Sequence, residues 1–231
     1  MTRLALLAIV LSACTTVDSS DVKTSGIYAS ISAQTKGDGK TDVSATLFVG
    51  NPVGLNYVEL TGDDKLLVKA SGMTKEMRET EVLNTVGHHA ELATDAEGAQ
   101  FEVVFDRSID EGAPSSIATL PAKFDITSAP QTASRAQTIS LQWSPAGSSD
   151  TMSWTATGDC IELESAPMND TGSHTIAAGL LKKRISANVP DQCDVTITLT
   201  RARAGVLDPH YGKGGEVRGI QARTRTLTST P

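Results

Sequence analysis

The sequence predicts an all-β protein built as two tandem antiparallel β-sandwiches that follow a leader and a short tether. Three observations carry this. Apolar residues recur with a period of two: Ile27, Ala29, Ile31 and Ala33 alternate with Tyr28, Ser30 and Ser32, and Val43, Ala45, Leu47 and Val49 repeat the pattern. Strand-length runs return every eight to twelve residues or so between turn residues, the rhythm of a sandwich or barrel. Charge changes along the chain: residues 15–128 carry 9 basic and 18 acidic side chains, residues 129–231 carry 10 and 9. Such a step supports two units.

Each element has its own warrant. Gly37-Asp38-Gly39 joins the first two strands as a hairpin turn. Val58 and Leu60, then Leu66, Val68 and Ala70, flank Gly62-Asp63-Asp64 and read as a second hairpin. Met73 to Leu83 has poor apolar spacing for a helix and reads as strand or loop. Phe101, Val103 and Phe105 form the strongest core strand of this half. Leu120 to Pro130 marks the boundary between a domain at 26–128 and one at 129–231, with a short strand, Lys123 to Thr127, between prolines that interrupt any ladder. The second half repeats the architecture in Ile139, Leu141 and Trp143; Met152, Trp154 and Ala156; Ile161 and Leu163; Val195, Ile197 and Leu199; and Val217 to Leu227. Pro145 to Asp150, Pro167 to Gly172 and Asp208 to Gly215 are the turns between them.

Before the strands, Arg3 and the apolar run Leu4 to Val10 lead into Leu11-Ser12-Ala13-Cys14. This segment resembles the lipobox signal peptide of bacterial lipoproteins. The resemblance implies that residues 1–13 are removed and that Cys14 is acylated and anchors the body to a membrane. Thr15 after the cysteine, where an inner-membrane retention signal has aspartate, favours the outer membrane, so the expected location is the cell envelope. The rival readings are an ordinary secretory peptide cut after Ala13, or a helix of the mature fold. Residues 14–25 are polar and Ser/Thr-rich and read as a tether with an extended reach of roughly 35–40 Å. No later segment approaches the roughly 20 apolar residues of a membrane span.

Setting Cys14 aside leaves Cys160 and Cys193, an even number in an oxidising compartment, so a disulfide is expected. Closing a loop of this length contributes about 3–4 kcal/mol on the chain-entropy model. A redox or metal pair is the rival reading and lacks the usual C-x-x-C spacing. Asp170-Thr171-Gly172-Ser173-His174 is similar to the Asp-x-Gly-x-Tyr corner of immunoglobulin-like domains, with His174 in the tyrosine position. Trp154 precedes both cysteines instead of lying between them. The resemblance implies an immunoglobulin-like topology and not a true immunoglobulin family.

Candidate sites are few. His88 and His89 are adjacent, so on a strand they face opposite sides and cannot readily share an ion. With His174 and His210 they read as solvated or core-edge histidines, since no H-x-H or H-E-x-x-H motif accompanies them. Lys36 to Asp42 reads as a hairpin turn instead of a calcium loop. Asp63, Asp64, Asp95 and Glu97 read as turn acids, with a weak calcium site between loops as the alternative. Gly212-Lys213-Gly214-Gly215 lacks the flanking residues of a phosphate loop, and no G-x-S-x-G is present. No catalytic residue, metal or cofactor is predicted.

The most distinctive surface feature is basic. Gln221, Arg223 and Arg225 alternate against Ile220 and Ala222, and Arg201 and Arg203 close the preceding strand. They form a candidate basic surface for anionic lipid headgroups, an anionic glycolipid or an acidic envelope protein. The structural alternatives are a charge-protected sheet edge or packing against the acidic first half. That acidic half opposes nucleic-acid binding. The expected function is a non-enzymatic envelope lipoprotein acting as a structural or binding module. An envelope hydrolase or carbohydrate-active protein is the alternative, although aromatics at 4% leave few platforms for sugar rings.

Overall fold

The computed structural model describes residues 16–50, 56–82, 85–186 and 188–231. The leader and Cys14 lie outside the described residues.

The period-two pattern folds as expected in the first sandwich. Strand β1 (Thr16–Asp18) precedes β2 (Ile27–Thr35) and β3 (Thr41–Val49), which pair antiparallel from Ile27↔Val49 to Gln34↔Asp42. Gly37 and Gly39, at φ +84° and +83°, supply the left-handed residues their turn requires. Strand β4 (Asn56–Glu59) pairs with one end of β3, and β1 runs parallel beside β4. Next come β5 (Lys65–Ala70), β6 (Met73–Glu76), β7 (Arg78–Val82), β8 (Thr85–Leu92), β9 (Gln100–Asp106) and β10 (Ala113–Thr119). The β7–β8 hairpin joins the other end of β3, while β10-β9-β5-β6 form the facing sheet. Ile31, Leu47, Leu66, Phe101, Phe105 and Leu120 fill the space between, all 1% exposed or less.

Two expectations fail here. The Gly62-Asp63-Asp64 turn does not close a hairpin, because β4 and β5 belong to different sheets. The turn carries the chain across the sandwich, and Asp64 is buried to accept Arg107 Nε at 3.0 Å and the Ser108 N–H. Nor is the Ser/Thr-rich segment a free tether from Thr16 onward. It forms β1 and two short 3₁₀ turns, with Ser19 and Thr24 buried. Arg107 donates to the Ser19 and Val22 carbonyls and to Thr24 Oγ1. Carbonyls and one hydroxyl of a segment that looks solvated in sequence here satisfy a buried guanidinium.

The second sandwich comprises β11 (Asp125–Ser128), β12 (Thr132–Ser134), β13 (Ile139–Ser144), β14 (Thr151–Gly158), β15 (Glu164–Met168), β16 (Ser173–Ile176), β17 (Cys193–Ala204) and β18 (Glu216–Thr230). Sheet β11-β13-β16 faces β15-β14-β17-β18 across a core of Phe124, Leu141, Trp143, Trp154, Ile161 and Leu199. Cys160 and Cys193 are joined by a disulfide, with Cα atoms 5.7 Å apart.

The two sandwiches share a strand. Residues Glu216 to Gln221 of β18 pair parallel with β2, whereas all of β18 from Arg218 to Ser229 pairs antiparallel with β17. One eleven-stranded sheet therefore runs through both halves, mostly antiparallel but with parallel pairs at β1–β4, β12–β18 and β18–β2. The first core draws on residues up to Leu120 together with Tyr211 and Val217, and the second begins at Phe124 and Ile126. At the junction a Cβ on Gly219 would lie 1.9 Å from the Thr119 carbonyl oxygen, so β10 and β18 can approach only over a glycine. Among the described residues no helix is long and apolar enough to cross a membrane.

Candidate functional site

Cross-strand partners share a face of a sheet. Val195 pairs with Leu227, Ile197 with Arg225, Leu199 with Arg223 and Arg201 with Gln221. The arginines thus lie on the face that carries the buried Val195, Ile197 and Leu199. The alternation expected from sequence holds, but along this row Arg201 is buried and Arg223 half-buried, while Arg225 is exposed, so only part of the basic row stays open to solvent.

What the arginines meet explains this. Residues 120–124 cross from one sandwich to the other outside any strand and lead into β11. Arg201 donates to the Ala122, Lys123 and Pro145 carbonyls at 3.0, 3.2 and 2.9 Å. Arg225 donates to the Ile126 carbonyl at 2.8 Å, and Arg223 bonds Asp125 at 3.1 Å. Arg201 and Arg223 also lie over the Phe124 ring, 4.8 and 5.5 Å from its centroid. Arg203 grips Asp150 through two hydrogen bonds, at 2.7 and 2.9 Å. The group is a clamp on the interdomain crossing.

Asp170 supplies the countercharge, 2.7 Å from Arg201. It also accepts the Trp143 indole N–H at 2.7 Å and the Ser148 N–H at 2.9 Å. Burial alone would raise its pKa, but these hydrogen bonds and Arg201 outweigh burial and hold it below the usual carboxylate range. The Asp-x-Gly-x-His corner thus does its work through the aspartate. The His174 ring lies 5.9 Å from Trp154.

Three polar features are open to solvent. The outer face of β2, β3 and β8 forms a groove of about 450 Å³, lined by Ser32, Gln34, Asp42, Ser44, His89 and Glu91 among others. Lys40 pairs with Glu91 at 2.9 Å on its flank. On the opposite side of β8, His88 is buried at the base of a groove of about 730 Å³. His88 Nε2 lies 3.2 Å from the Glu79 carboxylate without hydrogen-bonding alignment, and burial lowers its pKa despite that neighbour. His210 bridges two loops, Nδ1 to Asp208 at 2.7 Å and Nε2 to Glu111 at 3.1 Å. Its pKa is raised, chiefly by the Asp208 hydrogen bond.

Among the described residues no group of three or more His, Cys, Asp or Glu side chains is arranged to hold a metal ion. Asp95 accepts Lys123 Nζ at 2.8 Å and the Gly39 N–H at 3.1 Å, and Glu97 accepts the Lys123 N–H at 3.4 Å. Sequence reasoning missed the Glu79–His88 pair because the β7–β8 hairpin carries no turn motif.

The chain is thus an all-β protein of sandwich modules. No protein-family model matches it, and no curated protein matches it in sequence. Among solved structures it is similar to the chicken CNTN1 FN1-FN3 domains, at 10% identity over 95% of this chain and 69% of that one, TM-score 0.29. It is also similar to the fibronectin(III)-like modules of Clostridium thermocellum CbhA, at 11% identity over 84% and 94%, TM-score 0.23. A third likeness is to SGBP-B of the Bacteroides ovatus mixed-linkage glucan utilization locus, at 12% identity over 94% and 65%, TM-score 0.23. Likenesses of this grade say nothing about sites or partners.

Proposed function

We propose that this chain is a lipid-anchored module of the bacterial cell envelope, non-enzymatic, that holds a rigid two-sandwich body at the outer membrane to engage a polar partner. The single observation that carries the reading is the shared strand. A 15-residue strand spans about 50 Å, so β18 stiffens both sandwiches as one rod. The arginine clamp fixes the crossing between them. Such a body suits spacing and display, where a hinge would not serve.

The anchor is Cys14, through the lipobox-like run Leu11 to Cys14. Since β1 begins at Thr16, an acylated Cys14 would hold the first sandwich against the bilayer with almost no slack. The polar groove of Ser32, Gln34, Asp42, Ser44, His89 and Glu91 is the surface proposed for a hydrophilic envelope partner, whether protein or glycolipid. With Arg201 buried and Arg203, Arg223 and Arg225 engaged by the chain's own acids and carbonyls, this groove is preferred to them as the candidate contact.

Radiolabelled palmitate should enter the wild type and not Cys14→Ser, and that variant should leave the membrane fraction. Membrane retention of Cys14→Ser without label would defeat the anchoring reading. A second reading, an envelope hydrolase, is favoured by the Glu79–His88 pair in its groove. Chromogenic ester and glycoside panels with His88→Gln as control distinguish the two. Turnover lost in that variant would establish the hydrolase.

A further inference from the structure

Arg135 is 9% exposed, and among the described residues no carboxylate lies within 4 Å of its guanidinium. Its bonds go to neutral groups: Ser229 Oγ at 3.1 Å, the Asp191 carbonyl at 2.9 Å, and Cys160 Sγ at 3.8 Å. The Asp191 carboxylate is held instead by Lys183. A buried cation is ordinarily matched by an anion, because an unmatched one is expensive to desolvate. The Asp191 carboxylate feels the Arg135 charge from farther off, and the Cys160 sulfur is the group within hydrogen-bond reach that can become an anion.

The two sulfurs are not equivalent. Cys160 is wholly buried, and Cys193 is part-exposed. An incoming thiol therefore meets Cys193 first. The sulfur that then leaves is the one beside Arg135, and a neighbouring arginine lowers a thiol's pKa. A leaving thiol of lower pKa departs faster.

We propose that Cys160–Cys193 is a site of thiol–disulfide exchange, in which an external thiolate attacks Cys193 and Cys160 leaves as a thiolate paired with Arg135. The bond between Cys193 Sγ and the incoming sulfur forms as the Cys160–Cys193 bond breaks, and the electron pair stays on Cys160. A second thiolate from the same dithiol, or another small thiol, then displaces Cys193. The reductant leaves as its disulfide, two electrons having passed to the protein cysteines. The partner class is a thiol or dithiol donor. Reduction opens the covalent loop that holds residues 161–192, which remain anchored through β15 and β16 and carry the exposed Leu163 and Ile185, at 68% and 93%. The inference stands apart from the anchoring reading, since it does not use Cys14.

The test uses the full chain bearing Cys14→Ser, so that only two cysteines remain. Under native conditions with reduced glutathione, mass spectrometry should find the first adduct on the Cys193 peptide. Arg135→Met should slow reduction about tenfold, with Arg135→Lys restoring part of the rate, while all three should react alike in denaturant. An adduct on Cys160, or equal or faster native reduction of Arg135→Met, overturns the proposal. If Arg135→Met does not fold, Cys193→Ser serves in its place. Ultraviolet thiolate absorbance should then titrate Cys160 below the ordinary value of about 8.5, and a value at or above it overturns the proposal equally.

Discussion

Arg201 and Asp170 meet at 2.7 Å with side chains 1% and 4% exposed, on strands of one sheet and a turn of the other. The pair ties the sheets of the second sandwich together, and through the Ala122 and Lys123 carbonyls it ties them to the interdomain crossing.

Removing one partner strands the other in the interior. Arg201→Met should cost about 3–5 kcal/mol, read from urea unfolding midpoints. The double variant Arg201→Met/Asp170→Asn should lose less than the sum of the singles. Additive losses would show that the two do not interact.

Acid should unfold the protein partly through Asp170. Its folded pKa is depressed, so the stability it contributes is complete above the unfolded value of 3.8 and disappears as pH falls through the folded value. Arg201→Met should move the acid midpoint to higher pH in a circular-dichroism titration. An unchanged midpoint would contradict this assignment.

Two histidines should bend the neutral-pH profile in opposite senses. His210 has a raised pKa, so its contribution is complete below 6.5 and is lost as pH rises through the folded value. His88 has a lowered pKa, so its contribution is complete above 6.5 and is lost as pH falls. Urea midpoints between about pH 5 and about pH 8.5 should flatten on the alkaline side in His210→Gln and on the acid side in His88→Gln. A reversal of either slope would refute the corresponding assignment.

Gly219→Ala places a methyl where Thr119 has its carbonyl. Overpacking of that kind should cost about 1–3 kcal/mol or more and part β10 from β18. Hydrogen exchange should quicken at Ile117 and Val206, which bridge the two sandwiches nearby. Wild-type exchange rates in a folded variant would show that the junction gives way easily.

Much of this fold is legible in the sequence where one side chain's polarity decides its face. Ile27, Ala29, Ile31 and Ala33 are buried as their alternation predicts, as are Val43, Ala45 and Leu47. The arginines mislead because what they bind, chiefly residues 122–126, lies far off in the chain, and β17 and β18 themselves say nothing of it. Ser19 and Thr24 mislead similarly, since Arg107 decides their burial. Of the proposed contact groove, only Ser32 and Gln34 on β2 and Asp42 and Ser44 on β3 follow from hairpin periodicity. His89 and Glu91 arrive by a pairing of β8 with β3 that no local motif announces.

The strand shared by both sandwiches also orders events at the ribosome. The first core lacks Tyr211 and Val217 until residues far downstream have emerged. An emerging chain therefore stays unfinished through most of its synthesis. Once β18 docks, both halves gain their last neighbour together, and cutting within it should unravel the two as one.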